Sequence, residues 1–332
     1  MYPVFVASNR PLDSNNYAAV GRHNAMNYSR YDVSIPPRRE TGRIQWPSAD
    51  PDPSEEFVTT QAGRFRDEAA FISNLRAHLA RLPAGRRDVL LFVHGYNTNL
   101  AEGVYRLAQM DHDLELQAVP VYFSWPTAER VVGYVYDRDS ALISRGALAD
   151  LLRLVRKANP DRVILLAHSM GSFLTAEAML QIDLSSPGSL PSMIDLLVMM
   201  SPDIDVDLSV TQLETISELP APFIVFTSDK DKALEASERL TGRHPRLGRN
   251  PDVARFGDIE VTFMDITAFS EPDAGDFGHL TLGSSSALID LVPKLRGVAE
   301  SLDTDIASNP GLLPGTVLSV RRATEVVLTP PP

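Results

Sequence analysis

From Val89 to about Ser301, short apolar runs rich in β-branched residues alternate with longer amphipathic stretches. Such alternation is typical of βαβ units arranged around a mostly parallel sheet. We expect strands at 89–93, 119–125, 162–167, 194–200, 222–227 and 259–266, and helices at 67–82, 101–116, 138–158, 171–182 and 283–301. The pattern predicts an α/β fold in which a mostly parallel, doubly wound sheet carries helices on both faces.

The N-terminal part has a different character. The stretches 36-PPRRETG-42 and 46-WPSADPDP-53 are rich in Pro and charge, and short strand-like pieces lie at 3–8 and 32–36. Loop-forming composition of this kind is typical of a segment that lies over a larger domain. We therefore interpret 1–66 as an N-terminal extension packed on the main domain, 67–310 as the main α/β domain, and 311–332 as a C-terminal tail.

Composition limits the partners and the compartment. The 332 residues carry a formal net charge of −12, which disfavours nucleic acid as a partner because such a surface repels phosphate backbones. No apolar run approaches the ~20 residues of a membrane-spanning helix. The N-terminus lacks the pattern of a signal peptide, so we expect a cytoplasmic protein, or a periplasmic or secreted one if the chain is a processed form. The sequence gives no indication of the oligomeric state.

A nucleophile-like turn lies between a predicted strand and a predicted helix. The strand 162-RVILLA-167 leads into 167-AHSMG-171 and then into the helix-like 172-SFLTAEAMLQ-181, with Ser169 at the apex. A serine in such a strained turn needs small residues two positions before and after it, and Ala167 and Gly171 meet that need. The motif predicts that Ser169 is a nucleophile, the alternative being a serine that caps the helix.

A serine hydroxyl needs a base, and in this kind of turn the base follows the serine and the acid in chain order. His244 and His279 follow Ser169 with room for an acid between. His244 lies in the basic, turn-rich segment 242-GRHPRLGR-249, where a solvated or structural role is favoured. His279 follows the last predicted strand and precedes the last predicted helix, so His279 is the predicted base.

The orienting acid is expected at a strand end between these two residues. The segment 222-PFIVFTSDKDKAL-234 supplies a strand followed by a turn with two aspartates, of which we favour Asp231, since Asp229 is better placed to make the turn itself. Asp203 and Asp205, which follow the preceding strand, are alternative acids.

Acyl transfer also needs N–H donors for the developing oxyanion. The backbone N–H of Met170, directly after the predicted nucleophile, is the first candidate. The second is the N–H of Tyr96, because the strand 89–93 ends in 94-HGYN-97, where Gly95 permits a tight turn. His94 then has a supporting role or is simply a buried histidine bonded to backbone.

Aromatic residues follow another strand at the same predicted edge of the sheet. Trp125 ends the strand 119–125, and Tyr134 and Tyr136 follow it. Ligands of open α/β sheets bind at the carboxyl ends of the strands, so these residues are candidates for the wall of a substrate pocket, with plain packing as the alternative.

Motifs for nucleotide and zinc binding are absent from the sequence. His94 and His168 are expected near each other, but two histidines without a third ligand make a poor metal site. We expect no metal and no cofactor, and His168 enters the predicted site as a supporting residue.

The assembled motifs resemble a bacterial α/β-hydrolase family known as domain of unknown function 900. The resemblance also covers the N-terminal part and the loop 246-RLG-248, and it is carried by 4-VFVASNR-10, 33-VSIPPRRETGRIQWP-47, 94-HGYN-97, 123-FSWP-126, 167-AHSMG-171, 202-PDID-205 and 228-SDKDKAL-234. It implies an esterase- or lipase-like serine hydrolase with the α/β-hydrolase fold. It also implies the roles given above to Ser169, Asp231, His279 and Tyr96.

The predicted activity is hydrolysis of a small-molecule carboxylic ester through an acyl-enzyme. An amidase, thioesterase or acyltransferase would use the same three residues. A binding module that kept the fold without turnover is the alternative from a different class.

Overall fold

The structure is a computed structural model that describes residues 1–14, 18–249, 251–270, 279–286, 288–289 and 323–329. Within these residues one sheet has ten strands, in the order β10-β9-β8-β7-β6-β4-β5-β1-β2-β3. The strands are β1 Tyr2–Ser8, β2 Asn27–Ser34, β3 Val58–Arg64, β4 Val89–Val93, β5 Val119–Ser124, β6 Val163–His168, β7 Leu196–Met200, β8 Phe223–Thr227, β9 Val261–Asp265 and β10 Ala323–Val327.

Seven α-helices belong to the described part of the chain. They are α1 Glu68–Leu79, α2 Leu100–Asp113, α3 Tyr134–Lys157, α4 Met170–Ser185, α5 Val206–Thr215, α6 Lys232–Leu240 and the short α7 Thr281–Ser284. None of the described helices combines the length and the apolar character needed to cross a membrane.

Along the sheet, the described strands pair in parallel from β10 to β1. The pairing is antiparallel only at the other edge, which is formed by β2 and β3. β1 pairs in parallel with β5 and in antiparallel with β2, which in turn pairs in antiparallel with β3. The carboxyl ends of β4, β6, β7 and β8 therefore meet at one edge, and loops that leave them lie side by side. This edge carries the candidate site.

The central strand β4 shows why helices cover both faces. All five of its residues are buried. Leu91 and Val93 face the layer that contains α1, α3 and α4, whereas Leu90 and Phe92 face the layer that contains α2. Alternate side chains of a strand point to opposite faces, so an uninterrupted apolar strand needs a helix layer on each side.

The predicted α/β-hydrolase fold is confirmed, and the predicted strands of the main domain agree with β4 to β9 to within about two residues at each end. β3, α5 and α6 were not predicted. β3 is an exposed edge strand of sequence VTTQAGR, which lacks the apolar alternation that marks a strand. Most of the predicted helix 283–301 lies outside the described residues.

Both flanking segments contribute strands to the sheet. The segment 1–66 supplies β1, β2 and β3, and the segment interpreted as a tail supplies β10, which pairs in parallel with β9. Within the segment 311–332, which we interpreted as a C-terminal tail, Ala323–Val327 form the strand at this end of the sheet. The division at 66 and 310 stays a prediction.

Candidate active site

Ser169 occupies a strained turn between β6 and α4. Its backbone has φ 53° and ψ −124°, a conformation that non-glycine residues rarely adopt, and α4 begins at the next residue. The Ser169 N–H donates to the Met200 carbonyl oxygen of β7 at 3.0 Å, which fixes the turn against the neighbouring strand. The geometry is that of a nucleophile elbow.

Gly171 allows α4 to approach β4. A Cβ atom at this position would overlap the carbonyl oxygens of Val93 and His94. The backbone of the helix therefore passes directly over the end of the neighbouring strand, and only glycine fits. This close approach explains why a small residue is needed two positions after Ser169.

His279 and Asp231 form a hydrogen bond. His279 Nδ1 lies 2.7 Å from Asp231 Oδ2, and the aspartate side chain is fully buried. Asp231 also caps α6, because its Oδ1 accepts from the Leu234 N–H at 2.9 Å. With both oxygens engaged, the carboxylate is held in one orientation, and it fixes the imidazole so that Nδ1 carries the proton.

His168 supports His279 from the other side. The His168 Nε2–H donates to the His279 carbonyl oxygen at 3.1 Å, and the two rings lie 4.7 Å apart. Burial, followed by repulsion from His279, lowers the pKa of His168 well below its ordinary value. His168 therefore stays neutral and adds no positive charge next to the His279 imidazole.

The alternative acids have other partners. Asp203 accepts from the Tyr134 hydroxyl at 2.9 Å and from Ser237 at 2.6 Å, and it lies 3.3 Å from Arg246 in a buried ion pair. Asp205 caps α5. These contacts hold Asp203 in a buried ion pair and Asp205 at a helix end.

The remaining alternatives lie at the surface. Asp229 is exposed at the turn after β8, as the turn-making role required. His244 is also largely exposed and lies 3.9 Å from Asp205. Neither has the buried setting of Asp231 and His279.

The loop after β4 lies beside the serine. A Cβ at Gly95 would stand 2.9 Å from the Ser169 Cβ, so the loop backbone passes Ser169 at contact distance. Tyr96 follows and lines the same cavity as Ser169. Met170 is the first residue of α4, and the first N–H groups of a helix have no partner within the helix. The two predicted oxyanion donors thus belong to segments that flank Ser169.

Two buried residues that the sequence analysis missed hold this loop. Asp137 of α3 is fully buried and accepts from the Asn97 N–H at 3.0 Å and from the Ala128 N–H at 2.6 Å. Burial raises the pKa of Asp137. The carboxylate ties the loop after β4 to the loop after β5, and Asn97 has a positive φ of 53° at that point.

Arg10, two residues after the end of β1, is the second of these residues. It is 1% exposed and donates to the Thr98 carbonyl oxygen at 2.6 Å and to Thr127 at 3.1 Å, and it pairs with Glu129. It belongs to the stretch 4-VFVASNR-10 that carries the family resemblance, but the sequence does not reveal contacts so distant along the chain. Arg10 joins the N-terminal strand to both loops of the site.

His94 is a buried, neutral ring. Its Nδ1 lies 2.7 Å from the Gly95 carbonyl oxygen and its Nε2 lies 3.1 Å from that of Trp125. Burial, together with the charge of Arg10, lowers the pKa of His94 to about 3. Trp125 stacks on His94 at 4.9 Å and donates from Nε1 to the His94 carbonyl oxygen. Both ring nitrogens of His94 therefore contact backbone carbonyl oxygens.

Two of the aromatic residues expected in the pocket wall lie elsewhere. Trp125 is fully buried behind His94, because stacking and its indole hydrogen bond draw it away from the cavity. Tyr136 packs under Arg22, whose guanidinium lies 4.0 Å from the ring centroid. Tyr134 does line the cavity, where burial and the Asp203 charge raise its pKa to about 12.

A cavity of about 670 Å³ opens at Ser169. Besides Ser169 and His279 it is lined by His94, Gly95, Tyr96, Tyr134 and His168. This volume is in the range that holds a small organic ligand. Among the described residues no group of three or more His, Asp or Glu side chains is placed to hold a metal ion.

The parallel sheet, the strained serine turn at the end of β6 and the order of the strands define an α/β hydrolase. Residues 67–296 match the model of the family described as "Alpha/beta hydrolase of unknown function (DUF900)", which is more than half of the chain. The chain belongs to this family.

Comparisons with individual proteins say less about this chain than the family match does. The uncharacterized protein alr1448 of Nostoc sp. is 40% identical over 63 residues, which are 19% of this chain and 16% of that protein, so the match spans only a small part of the relative. The structure of Aspergillus fumigatus lipase B is similar with 13% identity and a TM-score of 0.37, covering 83% of this chain and 64% of that one.

An esterase from Thermogutta terrifontis is similar with 11% identity and a TM-score of 0.32, covering 85% and 92% of the two chains. Structural similarity at this level carries no argument about fold or function. The fold assignment therefore rests on the family match and on the sheet itself.

Proposed function

We propose that this chain is a serine hydrolase that cleaves a carboxylic ester through an acyl-enzyme. The observation that carries the proposal is the 2.7 Å contact of His279 with a fully buried Asp231, with His279 and a strained Ser169 lining one cavity. A buried carboxylate that fixes an imidazole beside a serine elbow is the arrangement that activates a hydroxyl for acyl transfer.

In the proposed mechanism His279 Nε2 takes the proton from the Ser169 hydroxyl as its oxygen attacks the ester carbonyl. The N–H groups of Met170 and Tyr96 stabilise the oxyanion. His279 then gives the proton to the departing alcohol, which leaves an acyl group on Ser169. Water, deprotonated by His279, attacks this ester, and the carboxylic acid departs as Ser169 regains its proton.

The neutral state of the neighbouring histidines supports this scheme. An imidazolium forms on His279 in each half-reaction, and Asp231 stabilises it through their hydrogen bond. Since burial lowers the pKa of both His94 and His168, neither contributes an opposing positive charge. The acid–base work is thus assigned to His279 alone.

Labelling with a fluorophosphonate probe, followed by peptide mapping, tests the proposal. We expect labelling at Ser169 in the wild type and none in Ser169→Ala or His279→Ala. Ser172→Ala is the matched control, because Ser172 lies one turn along α4 and its buried hydroxyl has no hydrogen-bond partner within the described residues. We expect this control to label like the wild type.

A folded wild type that does not label would overturn the proposal and favour the binding-module alternative. If Ser169 labels, matched ester, thioester and amide substrates with one acyl group distinguish an esterase from a thioesterase or amidase. An added alcohol or amine acceptor detects acyl transfer. We expect the ester to have the highest kcat/KM.

A further inference from the structure

Two parts of the cavity lining differ in chemical character. The part from the N-terminal segment and α2 includes Glu102 and Arg106 beside Ile44 and Trp46. The other part comes from the loop after β4, the segment before α3, the start of α3 and α6. We call the following residues of this second part the apolar wall: Tyr96, Val131, Tyr134, Ala233, Ala236 and Leu240.

Helix α6 presents one face to the cavity. Ala233, Ala236 and Leu240 all line it, and their spacing of three and four residues places them along one side of the helix. The two alanines carry only a methyl group each, so they leave a shallow groove along the helix. Leu240 stands at the far end of that groove, on the last residue of α6.

The polar atoms near the groove are already engaged. The Tyr134 hydroxyl donates to Asp203, and Ser237 donates to the same carboxylate. The Tyr96 hydroxyl donates to the Val131 carbonyl oxygen at 2.7 Å, which also positions Val131 at the rim. Of the charged side chains of α6, Lys232 lines the cavity, and it lies at the end of the helix next to Asp231.

The outer end of the apolar wall is exposed to solvent. Val131 is 76% exposed and Leu240 is 70% exposed although both line the cavity. Val132 and Val135 extend this exposed apolar surface away from the mouth. An aliphatic group that left the cavity here would cover side chains that water now contacts.

We infer that the substrate carries an unbranched aliphatic chain of about eight carbons or more, which lies along the groove of α6 and leaves the cavity between Val131 and Leu240. The helix provides a measure of length. α6 starts beside Asp231 and has nine residues, and at a rise of 1.5 Å per residue the distance from its first to its last residue is about 12 Å, roughly the length of eight to ten extended methylene groups. The inference rests on the proposed function, since it names the substrate of that site.

Chain-length profiles test the inference. We would measure kcat/KM for p-nitrophenyl acetate, butyrate, octanoate and dodecanoate as monomers, and for ethyl, octyl and dodecyl acetate by acid release, since the chain can be on either side of the ester. We expect at least a tenfold rise from the short to the eight-carbon substrate in one series. Each methylene moved from water to an apolar wall contributes up to about fourfold.

Two variants change the groove itself. Ala236→Phe fills it and Leu240→Ser removes its apolar end, and both positions are exposed enough to tolerate the change. We expect losses in kcat/KM that grow with chain length and reach about tenfold or more at eight carbons. Leu184→Ser is the matched control, because Leu184 is 71% exposed on α4 and does not line the cavity. It should keep the wild-type profile.

The inference would be overturned by profiles that stay flat or fall with chain length in both series. Equal losses for short and long substrates in Ala236→Phe and Leu240→Ser would also overturn it. Phosphonate labelling of Ser169 separates this failure from a failure of the proposed function, because labelling does not require a long chain. A protein that is labelled at Ser169 but shows flat profiles would contradict the inferred aliphatic chain and leave the proposed function standing.

Discussion

Asp231 and His279, 48 positions apart in the sequence, are joined by a 2.7 Å contact between Oδ2 and Nδ1. The other carboxylate oxygen of Asp231 accepts the Leu234 N–H of α6. One side chain therefore both begins a helix and orients the imidazole. The position of the candidate base depends on a helix terminus that the sequence analysis did not predict.

Replacing Asp231 by Asn should lower kcat/KM about 10³- to 10⁴-fold, because the amide can offer an N–H to Nδ1 and so favour the wrong imidazole tautomer. Ester hydrolysis and the rate of phosphonate labelling both report the loss. Asp229→Asn, in the same turn but exposed, is the control and should behave like the wild type. A wild-type labelling rate in Asp231→Asn would assign the acid to another residue.

Asp137→Asn should lower kcat by about tenfold to a hundredfold with little change in KM, since a shift of the loop after β4 misplaces a donor for the oxyanion. The amide nitrogen of Asn would face one of the two backbone N–H groups that donate to the Asp137 carboxylate. Asp139→Asn, exposed on the same helix, is the matched control. If both variants keep the wild-type kcat, the loop does not need the Asp137 carboxylate.

Gly171→Ala should destabilise the fold by about 1–3 kcal/mol or more, because the added methyl group overlaps backbone carbonyl oxygens of Val93 and His94. Gly146→Ala, inside α3, should instead stabilise it by about 0.5–1 kcal/mol, since its methyl group would meet only Gln181 at 3.4 Å. Urea unfolding measures both. A Gly171→Ala protein as stable as the wild type would contradict the close approach of α4 to β4.

Stability should fall in mild acid because of His94. Its pKa is about 3 in the folded protein, whereas a histidine in water has a pKa of about 6.5. Between these values the unfolded chain binds a proton that the folded chain does not. The stabilisation is therefore fully present above about pH 6.5 and decreases by about 1.4 kcal/mol per pH unit as the pH falls towards 3.

Urea unfolding of the wild type and His94→Gln at pH 7 and pH 5 measures this contribution. We expect the variant to be less stable at pH 7, where the packing on Trp125 is lost, but less sensitive to acid. An unchanged pH dependence in His94→Gln would show that His94 is protonated in the folded state or is not buried.

The parts of the site that could be predicted from the sequence are local. The strand, turn and helix around Ser169 are contiguous in sequence, and their geometry follows from the apolar run and the glycine. The partners Asp231 and His279 could be proposed because the order of strands limits which loops reach the same edge. Their roles stay predictions, whereas their contact is a feature of the structure.

The parts that could not be predicted depend on contacts between distant segments. Arg10 and Asp137 stabilise the loops through hydrogen bonds to backbone groups, and backbone partners have no sequence signature. The placement of Trp125 behind His94 depends equally on packing that only the assembled fold defines. For the same reason the exposed strand β3, which lacks an apolar pattern, was not expected.

The position of β1 between β5 and β2 has a consequence for how the chain must assemble. The Ser8 hydroxyl at the end of β1 donates to the Ser124 carbonyl oxygen at the end of β5, 116 positions later, so β1 cannot complete its pairing until this later strand has been synthesised. Pairing over such a separation slows folding, and until it forms β5 has an open edge. Removal of residues 1–10 would therefore leave β5 as an edge strand, which favours aggregation through pairing with other chains. It would also disturb the loops that Arg10 holds.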